Sequence, residues 1–254
     1  MTFDMIRQLL RLPSLLEVPS LLAVEPHPDD NEVGAGATIK LLTERGATVR
    51  YITVTDGRAG SEDTHVRPEA LAAMRAEERQ RANQLLGVTA SDQLGFEDAG
   101  AWNEDDLIRV LVPLIRQWRP AAVMTVDAWT PYESHPDHWK TGRAVSAAVI
   151  YAKNGVVQRG EGEPYEVPQV IYYGSAYPNT YVDVSETWAV KLAAMKAHAS
   201  QFDNAGWDLL SQFLTEEATR LYREQYGADR VGQVEAFKVL SSLQLHFFPQ
   251  AMRS

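Results

Sequence analysis

No cysteine occurs in the 254 residues, which removes disulfides, thiolate nucleophiles and cysteine-held zinc at once. Any metal here has to be held by His, Asp, Glu or carbonyl oxygen. Positive charge is also in short supply. The chain carries 24 Lys and Arg against 34 Asp and Glu, a formal charge of −10, so neither nucleic acid nor an anionic membrane is an expected partner. Long apolar runs are missing as well. Asp4, Arg7, Arg11 and Glu17 interrupt the leucines of the first twenty residues, which breaks up any secretory or membrane-spanning segment and makes a cytoplasmic location the expectation. Neither a G-x-S-x-G nucleophile elbow nor a Walker sequence is present, which argues against a serine hydrolase and a P-loop enzyme. Gly34-Ala35-Gly36 begins a G-x-G, but Ile39 stands at the third position, a poor basis for the alternative of a non-catalytic nucleotide-binding α/β protein.

What the chain does contain is ordinary for a globular protein: 45% apolar and 23% charged residues, enough to bury a sizeable core. Strand-like and helix-like stretches alternate. Leu21–Val24, Thr48–Thr55, Gln93–Phe96 and Ala121–Val126 read as strands. Between and after them, Val33–Arg45, Pro68–Leu86, Asp105–Trp118 and Asp137–Tyr151 have helical period, with Gly46 and Gly87 as stops and Pro113 expected to kink or shorten its helix. Such alternation predicts a Rossmann-like, mostly parallel sheet with helices on both faces. Phe3–Leu10 reads as an amphipathic helix, and 153–168, rich in Gly, Glu and Pro, as an exposed insertion. Two further strands (170–173 and 181–184), two helices (186–200 and 209–226) and a last strand near 237–240 form a C-terminal α/β extension. The expected organisation is a single domain over 1–254, with a core at about 21–150 and the extension at about 169–254.

Parallel topology gathers the loops that follow each strand on one edge of the sheet. The turns at His27, Asp56, Asp98 and Asp127–His138 are expected to converge there. Pro26-His27-Pro28-Asp29-Asp30 leaves the first strand stiffly and presents one imidazole and two carboxylates before a helix. Its acidic pair, taken alone, is as readily a helix cap as a metal site. The stretch Pro131-Tyr132-Glu133-Ser134-His135-Pro136-Asp137-His138 then brings two of the six histidines to the same edge. His27, Asp30 and one of His135 or His138 supply three ligands and leave a position open for water. Zinc suits two imidazoles and a carboxylate best, with iron, cobalt and manganese also accommodated. Asp29, adjacent but not ligating, is placed to take the proton of an attacking water.

These two motifs, with Thr55-Asp56-Gly57, Met74–Glu78, Asp98, Lys191 and His198–Gln201, resemble the zinc-dependent N-deacetylases of the LmbE/PIG-L family from about Leu21 to Leu240. The string 131–138 with Thr141-Gly142, and the ending 235–246, are most similar to the diacetylchitobiose deacetylase subgroup. The resemblance implies one zinc per subunit on His27, Asp30 and His138, Asp29 as general base, and His135 as an imidazolium stabilising the tetrahedral oxyanion. It implies sugar contacts from Arg75 and Asp98. Tyr132 and His246 are further substrate-binding candidates, His246 for its own or a neighbouring subunit's site. Asn31 stands where many members have Glu, which is expected to alter the pocket rim. The implied activity is removal of acetyl from a small N-acetylglucosamine-containing molecule such as diacetylchitobiose, with a glucosaminyl thiol precursor (GlcNAc-malate type) or another small amide as alternative. A homo-oligomer, a hexamer in this subgroup, is also implied.

Overall fold

In a computed structural model, residues 3–10, 12–246 and 248–254 are described. Helix α1 (Phe3–Leu10) precedes strand β1 (Ser20–Glu25), and α2 (Asp30–Glu44), β2 (Thr48–Thr55), α3 (Pro68–Leu86), β3 (Ala90–Phe96), α4 (Glu104–Trp118), β4 (Ala122–Val126) and α5 (Pro136–Ala152) then alternate as the sequence predicts. β5 (Gln169–Tyr173), β6 (Thr180–Asp183), α6 (Trp188–Ala197), the single turn α7 (Ala199–Phe202), α8 (Trp207–Tyr226) and β7 (Val234–Ser241) complete the main elements.

One seven-stranded sheet runs in the order β3-β2-β1-β4-β5-β7-β6. The first five strands are mutually parallel, and β7 lies antiparallel between β5 and β6. Alternation along β1 explains why both faces must be covered. Leu21 and Ala23 join a core with Ile39 and Leu42 of α2, whereas Leu22 and Val24 point into a second core with Leu107 and Leu111 of α4 and Val145 and Val149 of α5.

Two local expectations change. Pro113 does not shorten α4, which runs from Glu104 to Trp118. A proline at 113 withdraws the N–H that would serve the carbonyl of Arg109, and the Gln158 side chain donates to that carbonyl instead at 2.8 Å. The helix expected over 186–200 is divided at His198, whose ring turns inward to the Glu32 carboxylate.

The chain order reverses beside β1, which has β2 on one side and β4 on the other. Open α/β sheets bind ligands in the crevice that such a reversal leaves at the carboxyl ends of the strands. The turn after β1 carries His27 to Asp30, and the turn after β4 carries His135 and His138. Close packing of α5 on the end of β4 sets the width of this crevice. A Cβ at Gly142 would stand 2.6 Å from the Val126 carbonyl and 2.8 Å from the Ala128 Cβ, contacts that only a backbone shift relieves. Gly142→Ala is therefore expected to destabilise the protein by about 1–3 kcal/mol, read as a lower urea midpoint with an unchanged slope.

Candidate metal centre and active site

β1 ends at Glu25, and the chain leaves it through a turn in which Asp29 has φ 125°, a conformation that L residues rarely adopt and that costs on the order of 1–3 kcal/mol. Asp30 is the first residue of α2. Its Oδ2 accepts the His27 backbone N–H at 2.8 Å and lies 3.1 Å from His27 Nδ1. Its other oxygen, Oδ1, is 3.5 Å from His138 Nε2. The donor atoms of His27, Asp30 and His138 all lie within 4.8 Å of one another, as a mononuclear site requires.

Both imidazoles are held from behind. His138 Nδ1 is 3.0 Å from the Glu133 carboxylate, whose other oxygen accepts the His135 backbone N–H. With Nδ1 turned to Glu133, Nε2 is the nitrogen that faces Asp30. His27 Nε2 lies 3.1 Å from Asp98 Oδ1 and 3.5 Å from Asp137 Oδ2. Carboxylates behind metal-binding histidines fix the ring and its tautomer. The donor atoms of His27, Asp98, His135 and Asp137 also cluster within 4.8 Å. Asp98 and Asp137 face His27 Nε2 whereas Asp30 faces Nδ1, so the two sets use opposite nitrogens of the same ring, and only the set containing Asp30 includes the Glu133-braced His138.

The electrostatics call for a cation. Burial works against a charged His27, but Asp137, Asp30 and Asp98 outweigh it and raise its pKa to about 12. Burial likewise opposes ionisation of Asp30, yet His27 and His138 hold its carboxyl down at about 2. A proton on His27 is thus balancing charge that a divalent ion would balance on the same donors. The donor set therefore fits a metal of the zinc type, with nitrogen and oxygen ligands.

Asp29 is not a ligand in this geometry. Its Oδ2 is 3.1 Å from an Arg75 guanidinium nitrogen, which also donates to the Pro28 carbonyl at 2.6 Å. Burial pushes the Asp29 carboxyl up to about 7, with Arg75 opposing and Asp30 adding to the rise. His135 caps α5, and its Nδ1 accepts the Asp137 N–H at 3.3 Å, so donation falls to Nε2. Burial and the neighbouring His27 and His138 lower its pKa. That direction works against the imidazolium expected at this position.

A cavity of about 200 Å³ is lined by His27, Asp29, Arg75, Asp98, His135 and Gln201 with the backbone at 59–60. Arg75 and Asp98, expected at the sugar, do reach this cavity, but each is already engaged. Arg75 is 3% exposed and clamps the Asp29 turn, and the φ of +67° at Gly57 admits its guanidinium where a Cβ would come within 2.7 Å. Asp98 faces His27. Tyr132 and His246 are outside the residues lining the cavity. Tyr132 sits at φ 68° and is fully exposed, because the positive-φ turn throws its ring outward, and His246 is exposed at the end of a short helical turn over 242–245. Asn31 is fully buried, so it does not form the rim. Gly34 and Gly36 lie inside α2, past the helix start where a phosphate-binding turn would be needed.

Glu133, Asp137 and Gln201 received no role from the sequence. For the first two the signal was there: carboxylates within five positions of a candidate ligand histidine.

Residues 22–149 match the family described as PIG-L: GlcNAc-PI de-N-acetylase. The diacetylchitobiose deacetylase of Thermococcus kodakarensis is 35% identical over 239 residues, covering 92% of this chain and 88% of that protein. A probable N-acetyl-alpha-D-glucosaminyl L-malate deacetylase 2 of Bacillus anthracis is 29% identical, covering 81% of this chain and 93% of its own. Among solved structures, N,N'-diacetylchitobiose deacetylase from Pyrococcus horikoshii superposes with a TM-score of 0.88 at 30% identity, over 98% of this chain and 97% of that one.

The raised pKa of His27, together with the neutral ring that ligation would require, predicts that metal uptake expels a proton. Calorimetric zinc titration of metal-free protein in buffers of different ionisation enthalpy should report release of about one proton per ion at pH 7. The apparent affinity should then rise roughly tenfold per pH unit. Proton-neutral uptake would contradict the ligand assignment.

Proposed function

The chain belongs to the PIG-L (LmbE-like) family, and from that premise we propose that it is a zinc-dependent hydrolase that removes acetyl from the 2-acetamido group of a small N-acetylglucosamine-containing molecule such as diacetylchitobiose. The observation that carries the reading is the division of labour between adjacent carboxylates. Asp30 lies between two braced imidazoles, while Asp29 is turned away from them onto Arg75.

A metal on His27, Asp30 and His138 supplies Lewis acidity and a more acidic water. The protein's own groups do the rest. Asp29 accepts the proton of the attacking water, a task suited to a buried carboxyl whose pKa lies near 7. Arg75 fixes its direction. As the acetyl carbonyl becomes tetrahedral, its oxygen gains charge and accepts a hydrogen bond from His135 Nε2–H. The Asp137 N–H keeps that ring in the required tautomer. Donors placed in advance at a developing oxyanion are worth roughly 10²–10³-fold each. The C–N bond then breaks, and Asp29 returns its proton to the leaving amine, so that water and amide become acetate and a free amino sugar.

A glucosaminyl malate-type amide is the second reading, supported by the relative of that name. A homo-oligomer, with a hexamer as the specific expectation, and a cytoplasmic location complete the proposal. Among the described residues no helix is long and apolar enough to cross a membrane.

The deciding experiment assays zinc-loaded protein on N-acetylglucosamine, diacetylchitobiose and N-acetylglucosaminyl malate, following free amine. Absence of turnover on all three would overturn the proposal. Asp29→Asn should keep stoichiometric zinc and lose about 10²–10⁴-fold in kcat, whereas His27→Ala should lose the metal itself. Asp29→Asn with near-normal turnover would remove Asp29 from the mechanism.

A further inference from the structure

At about 200 Å³, the cavity around Asp29 and His135 is smaller than the roughly 300–1,000 Å³ of ordinary small-ligand sites. It has room for the reacting end of a substrate, and the remainder must lie elsewhere. On the His138 side of the centre is a second, open groove of about 510 Å³, lined by Ala128, Trp129, Thr130, Glu133, Trp139 and Arg143. Two of these residues tie it to the metal centre. Glu133 holds His138 Nδ1 at 3.0 Å, and Trp139 is the next residue in the chain after His138.

The groove offers two indole rings and one guanidinium. Trp129 is 56% exposed, a costly placement for a large apolar ring, and its loop and one ring edge are backed by the protein. The Trp129 backbone N–H donates to Asp127 Oδ1 at 2.9 Å, and the ring meets Tyr172 edge-on at 5.9 Å. Tyr172 is in turn fixed by a 2.7 Å hydrogen bond with Ser146 inside α5. Thr130 Oγ1 donates to the Gly174 carbonyl at 2.6 Å and anchors the same loop. Arg143 places its guanidinium 5.1 Å from the Trp139 ring centroid, within cation–π range. The opposite wall is α5, and its distance from Ala128 is set by the close approach at Gly142. Rigid walls lower the entropy cost of taking up a ligand.

We infer that this groove is the subsite for the non-reacting sugar ring of an amino-sugar disaccharide or longer oligosaccharide, an assignment that rests on the deacetylase reading above. One face of a pyranose ring presents C–H bonds, which suit the electron-rich face of an indole. Its edge presents hydroxyls, which suit the guanidinium fork of Arg143. Trp129 and Arg143 are then specificity residues: they favour a substrate with a second ring over a single sugar, and they touch none of the reacting atoms.

The test uses two variants at exposed positions, Trp129→Ala and Arg143→Ala. For zinc-loaded enzyme, the ratio of kcat/KM on diacetylchitobiose to that on N-acetylglucosamine should fall about tenfold in Trp129→Ala, and several-fold in Arg143→Ala. Independently of turnover, diacetylchitobiose titrated into metal-free protein should perturb tryptophan fluorescence, with an affinity weakened by a similar factor in Trp129→Ala. A ratio unchanged in both variants, or an equal loss on both sugars, would overturn the subsite. A shift to a smaller species on sedimentation of Trp129→Ala would also overturn it, because the groove would then be an interface between copies. If no N-acetyl sugar is turned over but the fluorescence result stands, the deacetylase reading fails and the groove survives. If turnover is present and the ratio does not move, the groove fails alone.

Discussion

The cluster of carboxylates around His27 is the constraint on which the rest of the site depends. Asp30 stands at one nitrogen, and Asp98 and Asp137 stand at the other. So much negative charge at the bottom of a sheet crevice is tolerable only with a cation among it. The elements of the fold are arranged to bring these groups together: Asp98 comes from the loop after β3, Asp137 from the start of α5, and His27 and Asp30 from the turn after β1. Each carboxylate also accepts a backbone N–H, from Ala59, Ala99 or His27 itself. The anions are therefore positioned by the main chain whether or not a cation is present, and an ion arriving there finds donors that need little reorganisation.

That anionic cluster also explains why Asp29 must be held apart. Two adjacent carboxylates in one turn would both be drawn to a cation, and the second could not then serve as a base. The positive φ at Asp29 reverses the direction of the chain for one residue, and the buried Arg75 collects the side chain along with the carbonyls of Pro28 and Gly57. Strain in the backbone is offset by charge-assisted hydrogen bonds. In the proposed mechanism Arg75 would act through Asp29 before any contact with a sugar.

Much of this was legible in the sequence, for definite reasons. The parallel sheet followed from apolar strands alternating with periodic helices, and the convergence of His27 with His138 followed from parallel topology alone. What could not be read was direction within a turn. Asp98 and Tyr132 both occupied loops on the correct edge, yet one faces His27 and the other faces solvent, because single backbone dihedrals decide the matter and composition does not report them. Pro113 leaves α4 unshortened for a related reason. Its cost depends on whether another donor reaches the freed carbonyl, and that donor, Gln158, lies 45 positions further along the chain. The downward shift at His135 was equally hidden, since it depends on burial and on His27 and His138 beside it.

The C-terminal residues bear on the site from beneath, a relationship that their position in the chain does not suggest. His198 reaches the Glu32 carboxylate at 3.2 Å, with both side chains fully excluded from solvent. Ser200 donates twice to Glu78 of α3, and Gln201 donates to the Gly60 carbonyl beside Arg75. Further along, the buried Lys191–Glu235 pair sits against α2, where Glu235 accepts the N–H groups of Ala37 and Thr38. Removing one member of such a buried pair leaves an uncompensated charge, at a cost of about 3–5 kcal/mol. These contacts join α6, α7 and β7 to α2 and α3, the helices that carry Asp30 and Arg75. A domain built only from the five parallel strands and their helices would retain every proposed ligand and lose the floor that keeps them in register. On this account the extension is part of the scaffold of the candidate site, tied to it through Glu32, Glu78 and the Gly60 carbonyl.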